Sequence, residues 1–226
     1  MVANAYDVDD GELLDPVKVG LGIRREVEAM RELNVGTATP KSVPKGKQMT
    51  IWSGRWCHRK KEVDGETVVR SRWVIRQFKS NSSDMDVFSG CPGQEAVRIL
   101  LAVAAHEGLA IIPGDFSVAF MHTPMDYEGY VEAPTESGVA SDECWLLLKA
   151  LNGLRKASQL FQKFLIDILT NHLGFASYRG LPTLLRSETT SVKLSVHVDD
   201  PLTVGQHAEI ISFHKSLEQW LEVRCT

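Results

Sequence analysis

Residues 192–205 read VKLSVHVDDPLTVG. Apolar and polar residues alternate along 192–199, which is the pattern of a β-strand with one buried face. Two adjacent acidic residues, Asp199 and Asp200, follow at a tight turn, and residues 202–204 resume a strand on the other side. The stretch therefore predicts a β-hairpin that presents two neighbouring carboxylates at its turn.

A third carboxylate lies near the end of another predicted strand. Residues 109–116 form a short, largely apolar run, and Asp115, its one acidic residue, lies near its end. Adjacent carboxylates repel each other, and either water or a hard cation such as Mg²⁺ can offset that repulsion. Carboxylates from neighbouring strands could hold two ions for an in-line phosphoryl displacement. The residues alone leave both interpretations open, an exposed acidic turn and a metal site.

Basic residues are concentrated in one segment of an acidic chain. The 226 residues carry a net charge of −4, yet residues 41–80 contain 11 Lys and Arg against 3 Asp and Glu. Asp-Gly at 64–65 predicts a hairpin, and strand alternation places Arg70, Arg72 and Arg76 on one face of its second strand. Guanidinium groups arranged in this way suit phosphate binding, although charged strands also occur simply to prevent edge pairing.

Helical signals flank these strands. Asp15-Pro16 predicts the start of a helix that continues to about Leu33, and a second helix is expected to end near Gly108. Amphipathic spacing predicts further helices over 155–173 and 206–223. Residues 36–50 are expected to be a connector and residues 80–92 a loop.

Composition excludes several other classes of protein. The chain is 43% apolar and 24% charged, which is typical of globular proteins. It has no apolar run near the roughly 18 residues that a membrane-spanning helix needs. Its four cysteines form no C-x-x-C pair, which excludes a zinc knuckle or a dithiol redox motif.

Several motifs follow one another in an order that is typical of one family. The motifs are Arg70–Phe78 (RSRWVIRQF), Asp115–Phe120 (DFSVAF), Tyr130–Pro134 (YVEAP), Leu147–Phe164 and Val196–Asp200 (VHVDD). They resemble, in this order and spacing, the reverse transcriptase of copia-type LTR retrotransposons. The resemblance covers most of residues 52–223.

The resemblance implies an α+β fold with the fingers and palm of a right-hand polymerase. An antiparallel palm sheet would pack on helices, and we expect the thumb to be absent. Residues 1–50 would form an N-terminal helix and connector, and residues 51–226 the fingers and palm. Within the latter, the basic fingers hairpin would occupy about 51–80 and the palm about 93–223.

The resemblance also implies roles for individual residues. Asp115, Asp199 and Asp200 would be catalytic and would bind two Mg²⁺ ions, with Mn²⁺ as a substitute. The residues expected to bind the nucleotide are Arg72, Arg76, Phe116, Phe120, Asn152 and Gly153. Those expected to bind template or primer are Arg70, Arg155 and His197. Phe120 would lie under the sugar and exclude a 2′-hydroxyl.

The activity implied by the resemblance is RNA-directed DNA synthesis, in which a primer 3′-oxygen attacks the α-phosphate of a dNTP. The expected partners are an RNA template, a DNA or RNA primer, dNTPs and the rest of a Pol polyprotein with integrase and ribonuclease H. No membrane is expected to take part. The expected location is a cytoplasmic virus-like particle, with a nuclear phase.

The sequence leaves two alternatives open. His197 replaces a family Tyr, Pro201 replaces an aliphatic residue, and Pro113-Gly114 is expected to interrupt the strand that presents Asp115. A decayed, inactive relic that keeps the fold and a basic nucleic-acid-binding face would show the same motifs. An unrelated hydrolase with paired carboxylates would explain the aspartates but not the ordered motifs between them.

Overall fold

The computed structural model describes residues 4–78, 89–90 and 92–225. The chain divides into two compact units. The first unit comprises the described residues of Met1–Asp84 together with Pro124–Ala157, and the second comprises those of Met85–Thr123 together with Ser158–Thr226. Each unit is therefore built from two separate stretches of chain.

Strands occur in both units. In chain order they are β1 (Gly36–Pro40), β2 (Ile51–Trp52), β3 (Gly54–Val63), β4 (Glu66–Ile75), β5 (Ala110–Phe116), β6 (Tyr130–Val131), β7 (Glu143–Leu147), β8 (Phe175–Tyr178), β9 (Leu181–Ser187), β10 (Lys193–His197), β11 (Asp200–Gly205) and β12 (Val223–Cys225). The helices are α1 (Pro16–Glu32), α2 (Ser42–Gly46), α3 (Gln94–Glu107), α4 (Ala119–His122), α5 (Ala157–Asp167) and α6 (His207–Leu217). None of the helices in the described residues has the length and apolar character needed to cross a membrane.

In the first unit, helix α1 packs on one face of the β3–β4 hairpin. The carboxylate of Asp15 accepts a hydrogen bond from the backbone N–H of Val17 and so caps the helix, as the sequence predicts. Gly22 lies against the backbone of β4, where a Cβ would come within 2.5 Å of the Val69 oxygen. The helix therefore approaches this hairpin closely because residue 22 has no side chain.

A four-stranded sheet completes the first unit in the order β1-β7-β6-β2. The sequence prediction of a connector at 36–50 is wrong in part, because Gly36–Pro40 form strand β1 and Ser42–Gly46 form helix α2. Strand β1 pairs antiparallel with β7, more than a hundred residues later in the chain. Local composition does not reveal such a distant partner.

The second unit is organised around a six-stranded sheet in the order β12-β5-β11-β10-β9-β8. A buried cluster from β10, α5 and α6 includes Leu194, Phe161 and Ile210, each fully buried. Helix α3 also packs on this sheet, through Leu100 and Ala104. The observed architecture is mixed α and β with several sheets, in agreement with the expected α+β class.

Two predicted boundaries in the second unit differ from the structure. The predicted helix over 206–223 ends at Leu217, and Val223–Cys225 form β12, because the backbone of this segment pairs with the edge of β5. Helix α5 continues as a π-helical turn, Ile168–His172, before Gly174 at φ +66° ends it. The loop predicted at 80–92 lies mostly outside the described residues. The division of the chain at residue 50 stays a prediction.

Candidate active site

The three predicted catalytic carboxylates lie in the second unit, on neighbouring strands. Asp115 is the penultimate residue of β5, Asp199 lies in the β10–β11 turn, and Asp200 is the first residue of β11. The backbone N–H of Phe116 donates a 2.9 Å hydrogen bond to the carbonyl oxygen of Asp199. This bond ties the end of the Asp115 strand to the turn that carries the other two carboxylates.

Neither proline near this site breaks its strand. Pro113 is paired with Leu202 of β11, and Pro201 is paired with Val196 of β10, both in unbroken antiparallel register. The expectation that Pro113-Gly114 interrupts β5 is wrong. The strand instead changes partner there, from β11 up to Pro113 to β12 from Gly114 onward. Because the register continues through both prolines, Asp115 and Asp200 reach the same end of the sheet.

The turn itself is strained. His197 pairs with Asp200, so Val198 and Asp199 are the two turn residues, and Val198 has a φ of +55°. A positive φ is a genuine outlier for a β-branched residue, and such strain is concentrated at functional sites. The strain marks this turn as the unusual part of an otherwise regular hairpin.

The carboxylates influence one another electrostatically. Desolvation raises the pKa of Asp200, and the charges of Asp199 and then Asp115 raise it further, while His197 lowers it. Mutual repulsion of this kind is what a bound hard cation relieves, and carboxylate oxygens are the ligands that Mg²⁺ prefers. The chemistry of the donor set therefore fits Mg²⁺. The part of the chain that the structure describes nevertheless contains no preassembled group of three or more His, Cys, Asp or Glu side chains that could hold a metal ion.

An aromatic cluster supports the Asp115 strand. Phe116 is 2% exposed and makes an edge-to-face contact with Phe161 at 5.6 Å between ring centroids. Phe120, in α4, contacts the same Phe161 ring at 6.3 Å and is half-buried. Phe116 is thus a core residue that fixes β5, whereas Phe120 keeps part of its surface accessible. The nucleotide-binding roles of both residues stay predictions.

The predicted phosphate-binding residues form a second group, in the first unit. A cavity of about 530 Å³ lies on the open face of the β3–β4 hairpin. The residues that line it include Arg59, Lys61, Arg70, Arg72, Asn152 and Gly153. Strand alternation is confirmed here, since Arg70 and Arg72 alternate with the buried residues Ser71 and Trp73 along β4. We call this surface, with its four cations Arg59, Lys61, Arg70 and Arg72, the basic face.

The end of β4 is fastened to the segment around Gly153. The backbone N–H of Ile75 donates a 2.8 Å hydrogen bond to the carbonyl oxygen of Asn152. Gly153 has a φ of +87°, and a Cβ there would lie 2.1 Å from the Ile75 oxygen. A glycine is required at this position for both reasons. The Ile75–Asn152 hydrogen bond and this close approach hold Asn152 and Gly153 at the margin of the basic face.

Two predicted cations lie beyond the end of β4. Arg76 is exposed, and its backbone N–H bonds the Ser53 carbonyl oxygen at 2.8 Å. Arg155 is half-buried, and its backbone N–H bonds the side-chain oxygen of Gln77 at 2.8 Å. The strand predicted to continue to Phe78 ends at Ile75, so Arg76 is not a member of the alternating face.

A family model described as reverse transcriptase (RNA-dependent DNA polymerase) matches residues 38–224. The chain belongs to the reverse transcriptase family. It is 26% identical over 198 residues to the "Retrovirus-related Pol polyprotein from transposon TNT 1-94" of Nicotiana tabacum. That match covers 84% of this chain and 15% of the relative, so the chain spans about a seventh of the polyprotein's length. The resemblance to copia-type elements that the motifs indicate is confirmed.

One basic residue beside the candidate site was not among those predicted from the sequence. Arg224 of β12 is paired directly with Asp115 of β5, and residues opposite each other in antiparallel strands project from the same face. Its guanidinium group bonds the Glu222 carboxylate at 2.8 and 3.0 Å. The alternation of apolar and polar residues over 221–225 was the available signal, but the preceding helical spacing obscured it.

Proposed function

We propose that this reverse transcriptase domain catalyses RNA-directed DNA synthesis by adding dNTPs to a primer 3′-hydroxyl. The observation that carries the proposal is the convergence of Asp115 with the Asp199-Asp200 turn, through the Phe116–Asp199 hydrogen bond and the mutual effect of the carboxylates on the Asp200 pKa. Carboxylates more than eighty residues apart in sequence share one end of a sheet. A carboxyl group whose pKa is raised by desolvation and by neighbouring charges, as for Asp200, marks a candidate functional site.

The carboxylates of Asp115, Asp199 and Asp200 would hold the divalent cations. Bound Mg²⁺ would supply charge stabilisation for the attacking and leaving oxygens of phosphoryl transfer. The protein's own contribution is positioning: the unbroken β5–β11–β10 register and the Phe116–Asp199 bond hold the carboxylate-bearing backbone in place. Both prolines fit within this register, which is why the relic alternative gains no support from them.

Other residues would act on the nucleotide and the template. Phe120, half-buried and in edge-to-face contact with the Phe161 ring, would exclude a ribose 2′-hydroxyl by steric contact. The guanidinium groups of Arg70 and Arg72 would bind phosphates, because their planar donors match phosphate oxygens in pairs. Asn152 and Gly153 line the same cavity and would contact the nucleotide through their backbone.

The proposed partners are those that the resemblance to copia-type elements implies, and the relative's name supports the polyprotein context. They are an RNA template, a DNA or RNA primer, dNTPs, and the remainder of a Pol polyprotein with integrase and ribonuclease H. The proposed location is a cytoplasmic virus-like particle with a nuclear phase.

The test is primer extension on an RNA template with Mg²⁺ and dNTPs. Wild-type protein should incorporate nucleotides. Asp199→Asn should lower the rate by at least about a hundredfold, because it removes a charged ligand of the cations that would stabilise the transition state. The matched control is Asp142→Asn, which removes an exposed carboxylate from the first unit and should leave the rate unchanged.

A second measurement does not depend on turnover. Mn²⁺ should bind to the wild-type protein when it is titrated in and the heat is measured by calorimetry. Either Asp115→Asn or Asp199→Asn should weaken that binding at least about tenfold. Folded wild-type protein that neither binds Mn²⁺ nor extends a primer would contradict the proposal and favour the inactive relic.

A further inference from the structure

The N-terminal residues 5–14 form a small closed hairpin, which we call the acidic loop. Tyr6 pairs with Leu13, and the backbone N–H of Asp7 donates a 2.9 Å hydrogen bond to the carbonyl oxygen of Glu12. The loop carries four carboxylates, at Asp7, Asp9, Asp10 and Glu12. Like charges at this density repel one another, and nearby cations relieve that repulsion.

The acidic loop is fastened to the outer edge of β3. Val8 donates a 3.0 Å backbone hydrogen bond to the His58 carbonyl oxygen. The buried Asp7 carboxylate accepts bonds from the backbone N–H groups of Lys60 (2.5 Å) and Asp9 (2.8 Å), and these bonds lower the pKa of Asp7. At the base of the loop, Leu14 is 4% exposed and packs in a buried cluster with residues of α1 such as Val19 and Ile23. The loop is therefore an ordered part of the first unit.

The carboxylates at the tip of the acidic loop contact cations of β3. Asp9 binds Arg59 through both of its oxygens, at 2.7 Å to Nε and 2.8 Å to Nη2. Asp10 binds Lys60 at 3.0 Å, and Glu12 binds the same ammonium group. Arg59 is a member of the basic face, and Val8 of the loop lines the same cavity.

We propose that the acidic loop is an intramolecular competitor for nucleic acid on the basic face. This inference rests on the proposed function, in which that face binds the phosphates of template or primer. A carboxylate that engages a guanidinium group through two oxygens uses the donors that a phosphate would use. The ion pairs at the tip are largely exposed, at 60% for Arg59 and 57% for Asp9, so they are weak enough for a polyanion to displace.

The experiment compares two triple variants with equal changes of net charge. Asp9→Asn/Asp10→Asn/Glu12→Gln neutralises the loop tip, and Glu28→Gln/Glu32→Gln/Asp142→Asn neutralises three other exposed carboxylates of the same unit. The probe is a fluorescently labelled DNA primer annealed to RNA, and the readout is anisotropy over a series of salt concentrations. The loop variant should bind about three- to tenfold more tightly than wild type and show a steeper salt dependence, because the Arg59 guanidinium group, released from Asp9, then takes up a phosphate. The matched control should change affinity less than about twofold.

A double-mutant cycle separates local competition from a general effect of charge. Arg59→Gln should weaken binding little in the wild-type background, where Asp9 already occupies the guanidinium group, and several-fold more in the Asp9→Asn background. Equal effects of Arg59→Gln in both backgrounds, or a loop variant that behaves like the matched control, would overturn the inference while leaving nucleic-acid binding intact. Failure of wild type and loop variant alike to bind at low salt would overturn both the inference and the proposed role of the basic face. Thermal unfolding of each variant checks that it is folded.

Discussion

The β3–β4 and β10–β11 hairpins are each closed by a two-residue turn, but they use that turn differently. In β3–β4 the turn residues are Asp64 and Gly65, at φ +52° and +79°, which residues of these types adopt readily. In β10–β11 the turn residues are Val198 and Asp199, and Val198 is held at φ +55°. The first hairpin carries its candidate phosphate-binding residues along the strands, and its turn is exposed and has an ordinary conformation. The second has its carboxylates at the turn and accepts backbone strain there.

This difference shows which parts of each hairpin are free to vary. Charges along a strand face are positioned by alternation alone, so Arg70 and Arg72 need nothing more than a regular β4. Carboxylates at a turn are positioned by the turn's backbone, so a change of conformation at Val198 would move Asp199 directly. We expect substitutions in the second turn to affect function more than substitutions in the first.

A carboxyl group with a raised pKa lies against or within each hairpin, and the causes of the two shifts differ. Glu26 of α1 lies behind β3–β4, where burial raises its pKa to about 7 against weaker opposing effects of Trp73 N–H, Arg72 and Arg70. The pKa of Asp200 is raised by desolvation and also by the like charges of Asp199 and Asp115. The first is a consequence of helix packing, and the second belongs to the candidate active site.

The largest effect is expected where the first hairpin is anchored. In Gly153→Ala the new Cβ would lie 2.1 Å from the Ile75 oxygen, at a φ of +87°. We expect a loss of about 3 kcal/mol or more in unfolding free energy, because overpacking against backbone adds to left-handed strain. Urea unfolding, followed by tryptophan fluorescence, measures it.

The control for Gly153 is another left-handed glycine in the same unit. Gly138 has a φ of +79°, and a Cβ there would meet nothing within 4 Å. Gly138→Ala should therefore cost only the conformational strain, about 1 kcal/mol. Equal losses in the two variants would show that β4 does not depend on close packing against residue 153.

The next effect concerns pH and the helix behind the first hairpin. Because the folded pKa of Glu26, about 7, exceeds its ordinary value of 4.5, the folded state binds this proton more tightly. The contribution of Glu26 to the unfolding free energy is therefore fully present below about pH 4.5, and it is lost as the pH rises through about 7. Glu26→Gln should therefore raise the unfolding free energy at pH 8 by about 1 to 3 kcal/mol relative to wild type, with little difference at pH 4.

Urea unfolding at both pH values measures the Glu26 effect, with the exposed Glu28→Gln as control. The control should leave the pH dependence of wild type unchanged. A Glu26→Gln variant that is less stable than wild type at pH 8 would show that the carboxylate is ionised and favourably paired with the arginines of β4.

Features that depend on local pattern were predictable from the sequence. Alternation over 192–199 predicted β10, and Asp64-Gly65 predicted the first hairpin, because side-chain period and turn chemistry are properties of neighbouring residues. The Asp15 cap of α1 was predictable for the same reason. At the candidate site, this reasoning extended to Asp199 and Asp200 at a turn and Asp115 near the end of a strand.

Features that depend on distant pairing were not predictable. Strand β1 exists because β7 pairs with it, and β12 exists because the last part of β5 offers a free edge. The same pairing brings Arg224 opposite Asp115, and docking on β3 places Asp9 against Arg59. The positive φ of Val198 was equally hidden, since the residue type argues against it.

The smallest expected effect concerns the backbone strain at the second turn. The test is the sign of the stability difference between the Gly and Ala variants at one position. At an ordinary half-buried strand position such as Val68 of β4, the Gly variant should be about 1 kcal/mol less stable than the Ala variant, because glycine loses more conformational entropy on folding. At Val198 the order should reverse, with Val198→Gly more stable than Val198→Ala by about 1 kcal/mol, since alanine retains the left-handed strain and glycine does not. Comparing Gly with Ala at each position cancels the packing lost with the valine side chain. The same order at both positions would mean that the second turn is as relaxed as the first, and that the contrast between the hairpins lies in their charges alone.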